Sequence, residues 1–424
     1  MIKEDFLHYI WQHKLFINHD LQTTSGETLE VIDVGIKNTD AGPDFFNAKI
    51  KIGDKIWAGN VEIHVRSSDW ELHKHTNNDE YQSVILHIVQ QADVDIQRKT
   101  GENIPQLELK CPVELAENYN NLLEKKEIIR CAKHIEDISY IFISSWINTL
   151  LSERLLRKTE HIASLLEKNN NNWEEAFYVV LARNFGFGVN CEPFERLAQS
   201  VPLIYLQKHK NNLLQIEAMF FGQAGLLPEE NTDETAEKLK KEYAFLKNKF
   251  NLTPLVQPCW KMMRVRPSNF PQVRIAQFSA LIHQSSKLFS KVIENPDYQY
   301  ICSLFDVEAS DYWTTKKLGK KTIDILLINT IIPFIFYYGK RNNNEFLQEK
   351  ALKLLEQTPK EQNKITAEWE SLGIKIKNAF DSQAAIELKN NYCEKKDCLR
   401  CRIGHKVLTK KETSALKERR GKSN

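Results

Sequence analysis

The chain has 424 residues, 42% of them hydrophobic and 27% charged. This is enough for two or three domains with cores of their own, and at 10% aromatic it is too apolar for a disordered chain. Its 58 basic and 56 acidic residues leave a net charge of +2, so only local patches, not a diffuse field, bear on nucleic-acid binding.

Residues 4–16 set Phe6, Leu7, Ile10, Trp11 and Leu15 on one face of an amphipathic helix. At Leu29 the period changes. LEVIDVGI reads as a strand and KNTDAGPD as a turn. FFNAKIKIG and DKIWAGNVEIHVRSS are two alternating runs that meet at Gly53-Asp54. Residues 69–83 are polar, a loop or short helix. SVILHIV is a continuous apolar strand buried on both faces, and Leu107 to Cys111 adds one more strand.

After Pro112 the pattern turns helical. WINTLLSERLLRKTEHIASLLEKN is a long amphipathic helix, with Glu153, Arg154, Arg157 and Lys158 on a solvated face. The asparagines from Asn169 to Asn172 separate it from the helix WEEAFYVVLARNFG. Further helices are expected over 232–250, N-capped within NTDETAEK, and over 272–291. The longest apolar run, Ile323 to Tyr338, is interrupted by Asn329 and Pro333. It falls short of the roughly 18–20 residues a spanning helix needs and reads as a core helix. The N-terminus lacks a secretory pattern. A cytoplasmic protein with no membrane partner and no disulfides is therefore expected. The domains are drawn at 1–112 (α/β), 113–385 (helical) and 386–424 (a cysteine cluster and basic tail).

Chemistry concentrates between Asp44 and His87. The stretch holds Asp44, Glu62, His64, Asp69, His73, His75, Asp79 and His87. Period two puts Glu62 and His64 on one strand face, and a hairpin at Gly53-Asp54 would bring Asp44 to the same end as Glu62. Two adjacent carboxylates repel and desolvate each other. A hard cation, Mg²⁺ or Mn²⁺, relieves that cost and can activate water. A zinc site drawing on His64, His73, His75 and His87 is a second reading of the same residues, with Asp69, Trp70 and Tyr81 around it.

The α-β-β-β-α-β order, with Pro43-Asp44 opening one strand and Glu62-x-His64 in the next, resembles the restriction-endonuclease-like core of the PD-(D/E)xK nucleases. The resemblance implies a mixed sheet in the N-terminal domain, so that with the helical region and the tail read above the fold expected is α+β. It also implies that Asp44 and Glu62 bind Mg²⁺. His64 stands where the family's lysine assists the attacking water. The whole chain also resembles an uncharacterised bacterial family known only as a domain of unknown function. That likeness rests on NTDAGPDFFNAKI, GNVEIHVRSSDWELHKH, EAMFFGQAGLL, RVRPSNFPQVRIAQ, INTIIPFIFYYG and NYCEKKDCLRCRIG.

Two further groups carry candidate chemistry. In RVRPSNFPQVRIAQ, Arg264, Arg266 and Arg274 flank Pro267 and Pro271, and guanidinium groups on a stiff segment suit backbone phosphates. In the tail, Cys393, Cys398 and Cys401 with His405 have the spacing of a zinc knuckle. The three cysteines joined by an upstream one such as Cys131 would instead hold an iron–sulfur cluster. The expected function is a metal-dependent, nuclease-like protein acting on DNA or RNA, with Asp44, Glu62 and His64 as catalytic residues. The alternatives are a non-catalytic nucleic-acid-binding or scaffold protein and a zinc hydrolase.

Overall fold

The computed structural model describes residues 3–17, 20–227, 234–255, 260–263, 265–310 and 317–410. The chain divides into two compact units, Met1–Ser139 with Asn390–Asn424, and Tyr140–Lys389.

The first unit begins with helix α1, Glu4–Gln12, which buries Phe6, Leu7, Tyr9, Ile10 and Trp11 and keeps Glu4 and Asp5 in its first turn. Six strands follow: β1 Leu29–Asp33, β2 Ile36–Lys37, β3 Phe45–Ile52, β4 Lys55–Arg66, β5 Val84–Gln91 and β6 Gln106–Glu108. They form one sheet in the order β1-β3-β4-β5-β6, with the short β2 also on β3. β1, β3 and β4 pair antiparallel, whereas β4 with β5 and β5 with β6 are parallel. The crossover from β4 to β5 runs through α2, Asp69–Leu72, and two 3₁₀ turns. β5 is buried from Val84 to Val89, as a doubly covered strand must be.

The domain limits expected from sequence differ from these units. Residues 113–139 and the tail pack with the sheet, not with the helical region or by themselves. Helix α3, Val113–Glu124, buries Leu115, Tyr119 and Leu122, and Tyr119 stacks on Phe6 at 4.1 Å between centroids. The C-terminal helix, Arg402–Leu408, buries Ile403, Val407 and Leu408. Asn118 Nδ2 donates to Leu408 O at 3.1 Å. Long-range packing of this kind leaves no local mark in the sequence.

The second unit is helical and opens with α4, Tyr140–Lys168. Part of the face read as solvated is drawn inward. Lys158 Nζ is buried and donates to Ile328 O, Asn329 Oδ1 and Gln383 Oε1 at 2.8–3.1 Å, and Arg154 and Arg157 both pair with Glu387. The helix expected over 272–291 is two, Pro271–Gln284 and Leu288–Glu294, broken where Lys287 takes φ +52°. The helix expected over 232–250 is described as Glu234–Phe250; its capping asparagine lies outside the described residues. Lys320–Arg341 is helical throughout, with a π turn at Leu327–Ile331. By length and composition alone it could cross a membrane, but 67% of its apolar stretch is buried inside the protein, the position expected of a core helix.

Candidate metal centre

The β3–β4 hairpin closes at Gly53-Asp54 and keeps one register from Ile52–Lys55 to Ala48–Gly59; beyond it, where Asn47 takes φ +58°, the pairing shifts by one residue. Phe45 opposes Val61, which sets Asp44 beside Glu62. The two are tied reciprocally. Asp44 N–H donates to Glu62 Oε2 at 3.1 Å, and Ile63 N–H donates to Asp44 Oδ2 at 2.9 Å. The loop before Asp44 is stiff: Asn38 Nδ2 donates to Ala41 O and Pro43 O, both at 3.0 Å. Gly42 supplies the φ of +99° that the turn requires.

Two histidines approach the other Glu62 oxygen, and a third adjoins them. Glu62 Oε1 lies 3.5 Å from His64 Nε2 and 3.4 Å from His75 Nε2. His64 Nε2 is 3.1 Å from His73 Nδ1. One nitrogen from each of His64, His73 and His75 lies within 4.8 Å of the others. Ligand atoms around a tetrahedral ion at about 2.0–2.1 Å are separated by about 3.4 Å, which is the spacing between Glu62 and its two imidazoles. His75 Nε2 is buried and makes no hydrogen bond despite this proximity. Two ligands of one ion are arranged this way, each directed at the ion and not at the other. Lys74 adopts the left-handed φ of +62°, an uncommon conformation for a lysine. It reverses the chain so that His73 and His75 reach the same point.

Behind these donors stands a supporting layer. His64 Nδ1 is 2.8 Å from His87 Nε2. If His64 Nε2 is to ligate, its proton must sit on Nδ1 and be donated to His87. Tyr81 stacks on His75 at 3.7 Å. Trp70, fully buried, lies 5.3 Å from both His75 and His87. Burial, with Asp44 adding to it, pushes the Glu62 carboxyl up to about 9. Burial and the neighbouring imidazoles pull His64 down to about 2, and burial pulls His87 to about 3. Without a cation, then, the Glu62 carboxyl is neutral and His64 and His87 are uncharged imidazoles.

Helix α1 contributes two residues that sequence reasoning missed. His8 Nε2 lies 3.2 Å from Asp44 Oδ2, and the Asp44 carboxylate raises the His8 pKa against the pull of burial. Glu4, one turn earlier on the same helix face, is half-buried and its pKa is raised by burial. Their i, i+4 spacing was the available signal.

The remaining expected residues fall elsewhere. Asp69 Oδ2 accepts from Arg66 N–H at 3.0 Å and caps the turn after β4; it is not among the converging donors. Arg264 lies outside the described residues. Arg266 is exposed. Arg274 is only 5% exposed, and it does not present a guanidinium to the surface. Its Nη1 donates to Gln277 Oε1 at 2.8 Å, Nη2 bonds Asn269, and the group stacks 4.4 Å from the Phe187 ring centroid. Burial lowers its pKa to about 10. In the tail, His405 Nδ1 is 2.8 Å from Tyr9 Oη, with the ring 4.9 Å from that of His13. The imidazole expected among the cysteine ligands is thus turned toward α1.

Residues 4–364 match the family model described as protein of unknown function DUF2851. The chain belongs to the DUF2851 family. No curated protein and no solved structure matches it. The match in this DUF2851 chain takes in the whole acidic and histidine cluster, and the tail cysteines lie beyond it.

Proposed function

We propose that this protein is a metal-dependent hydrolase of phosphodiester bonds, nuclease-like in its N-terminal unit. One observation carries the metal: His64, His73 and His75 each place a nitrogen within 4.8 Å of the others, with Glu62 Oε1 within 3.5 Å of two of them and Asp44 and His8 alongside. The substrate class rests on a further point. The order α1, antiparallel β1, β3 and β4 with the short β2 on β3, α2 and a parallel β5 resembles that of the restriction-endonuclease-like core, and this supports reading Asp44 and Glu62 as counterparts of that core's acids. Nucleic acid is accordingly the proposed substrate.

Three nitrogens beside one carboxylate oxygen favour Mn²⁺, Fe²⁺ or Zn²⁺ over Mg²⁺, which prefers oxygen ligands. A bound ion of this kind lowers the pKa of a water and neutralises charge at phosphorus. The protein's own residues do the rest. His87 fixes the His64 tautomer. Glu62, neutral when metal-free, gives up its proton on binding. The Asp44 carboxylate favours the protonated form of His8, which suits His8 to protonate a departing oxygen. His64, expected to assist the water, serves in this arrangement as a ligand.

The test is metal content together with hydrolysis of single- and double-stranded DNA, of RNA and of bis(p-nitrophenyl) phosphate, each with Mn²⁺, Zn²⁺ or Mg²⁺. Expected are one equivalent of transition metal at this centre, and cleavage that falls at least 100-fold in Glu62→Gln and His64→Ala. Metal binding with cleavage of carboxylic esters but of no phosphodiester would establish a zinc hydrolase of another class. Neither metal nor hydrolysis would leave the non-catalytic reading.

A further inference from the structure

A second group of donors sits in the first unit, apart from the histidines. Cys393, Cys398 and Cys401 follow a C-x4-C-x2-C spacing, and the chain between them is tightly wound. Lys396 takes φ +60°, and its N–H donates to Cys393 O at 3.1 Å; Asp397 N–H donates to Tyr392 O at 2.8 Å. At Gly404 an added Cβ would lie 2.1 Å from Cys398 O, so the C-x2-C loop is pressed onto the first turn of the C-terminal helix. Two cysteines on such a loop reach one metal.

The structure supplies a fourth. Cys131 and Cys401 each stand immediately before a helical segment, Ala132–Asp137 and Arg402–Leu408. Just past the far end of the second, Lys410 Nζ pairs with Asp137 Oδ2, the last residue of the first, at 2.9 Å. That pair packs the segment following Cys131 against the one following Cys401, and both cysteines are buried in this unit. Consistent with this, the charge of Cys401 and Cys398 adds to the burial that raises the Cys131 pKa.

Arg130 makes the group chemically legible. It is 6% exposed, and its Nη1 is buried without a hydrogen-bond partner. Among the described residues no carboxylate pairs with it, and its charge acts on Cys398. Next to four neutral thiols a buried, unpaired guanidinium is costly. Next to thiolates it is compensated, and cysteines that ligate a metal are thiolates. The geometry points to a soft-metal centre held by Cys131, Cys393, Cys398 and Cys401, taking zinc or an iron–sulfur cluster, with Arg130 as its counter-charge.

The full chain, purified without oxygen, tests this independently of the hydrolase. Metal and acid-labile sulfide are measured in wild type and in His64→Ala/His75→Ala, which removes the other centre. One retained equivalent of zinc, or iron with sulfide and visible absorption, supports the site and identifies its occupant. Chelated protein refilled with Co²⁺ should show thiolate-to-cobalt charge transfer, which histidine and carboxylate ligands do not give. Cys398→Ser should abolish that band, and Arg130→Met should weaken metal binding 10- to 100-fold. If Cys398→Ser does not fold, the less constrained Cys393→Ser and the wild-type cobalt spectrum decide. The inference is overturned by a double variant lacking zinc, iron and the cobalt band, with all four thiols alkylated equally fast with and without zinc.

Discussion

His87 makes no direct approach to the carboxylates, yet the centre depends on it. Its Nε2 is 2.8 Å from His64 Nδ1, and a partner at that distance selects which imidazole nitrogen is left to ligate. His87→Phe keeps the aromatic volume and removes the acceptor. It should lower metal affinity by 10- to 100-fold, measured by competition with a chromophoric chelator, while the melting temperature of the metal-free protein stays the same or rises. Unchanged affinity would show that His64 is oriented by something else. Glu62 is testable through pH. In chelated protein its carboxyl keeps its proton up to about 9, against an ordinary value of 4.5. The unfolded chain has released that proton across this window, so stability must fall as pH rises through it. His64 and His87 act in the opposite direction. They stay neutral down to about 2 and 3, against 6.5, so stability must also fall as pH drops below 6.5, where only the unfolded chain takes up protons. Urea midpoints of the chelated protein should therefore peak near about pH 6.5. Glu62→Gln should remove much of the alkaline decline, and an alkaline limb identical to wild type would count against a buried neutral Glu62.

The elements that position these side chains are a hairpin and two turns. Asp44 is held by the loop from Asn38 to Pro43, whose Gly42 sits at φ +99°. A Cβ there would meet its nearest atom, a Glu80 carboxylate oxygen, at an unforced 3.6 Å. Gly42→Ala would therefore act through backbone strain alone, about 1–2 kcal/mol. Asn38→Ala would remove two hydrogen bonds to the same loop. Both variants should lower catalytic rate and metal affinity more than they lower the denaturation midpoint of the helical unit. Equal losses in both units, followed by limited proteolysis, would mean the loop has no special tie to the centre.

On the scale of the whole molecule, the sheet unit is assembled from both ends of the chain. The tail contributes Ile403 and Leu408, each 1% exposed, and Val407 at 7%. Their burial is worth about 1.5–3 kcal/mol apiece. Deleting residues 390–424 should thus destabilise the N-terminal unit by several kcal/mol and leave residues 140–389 folded. Thermal melts that resolve the two units would show one transition lost and one kept. A deletion that leaves both intact would refute the assignment of the tail to the sheet.

The sequence by itself determined the strands, the hairpin and the chemical richness of the stretch from Asp44 to His87. Period two and a Gly-Asp turn are local constraints: they put Asp44 and Glu62 at the same end of the hairpin and His64 on the face of Glu62, while the register shift between Phe45 and Ala48 sets the two acids side by side. It also determined β5 as a buried strand and Ile323–Tyr338 as core, because continuous apolar runs allow little else. The tertiary structure decided the rest. A left-handed lysine brings His73 and His75 in, and helix packing adds Glu4 and His8. Arg274 looked like a phosphate ligand and is a buried strut, because its surroundings come from residues as distant as Phe187. His405 looked like a cysteine partner and faces Tyr9, nearly four hundred positions away. Local spacing specifies which side chains share an element. Only the packing of elements remote in sequence specifies what each side chain meets.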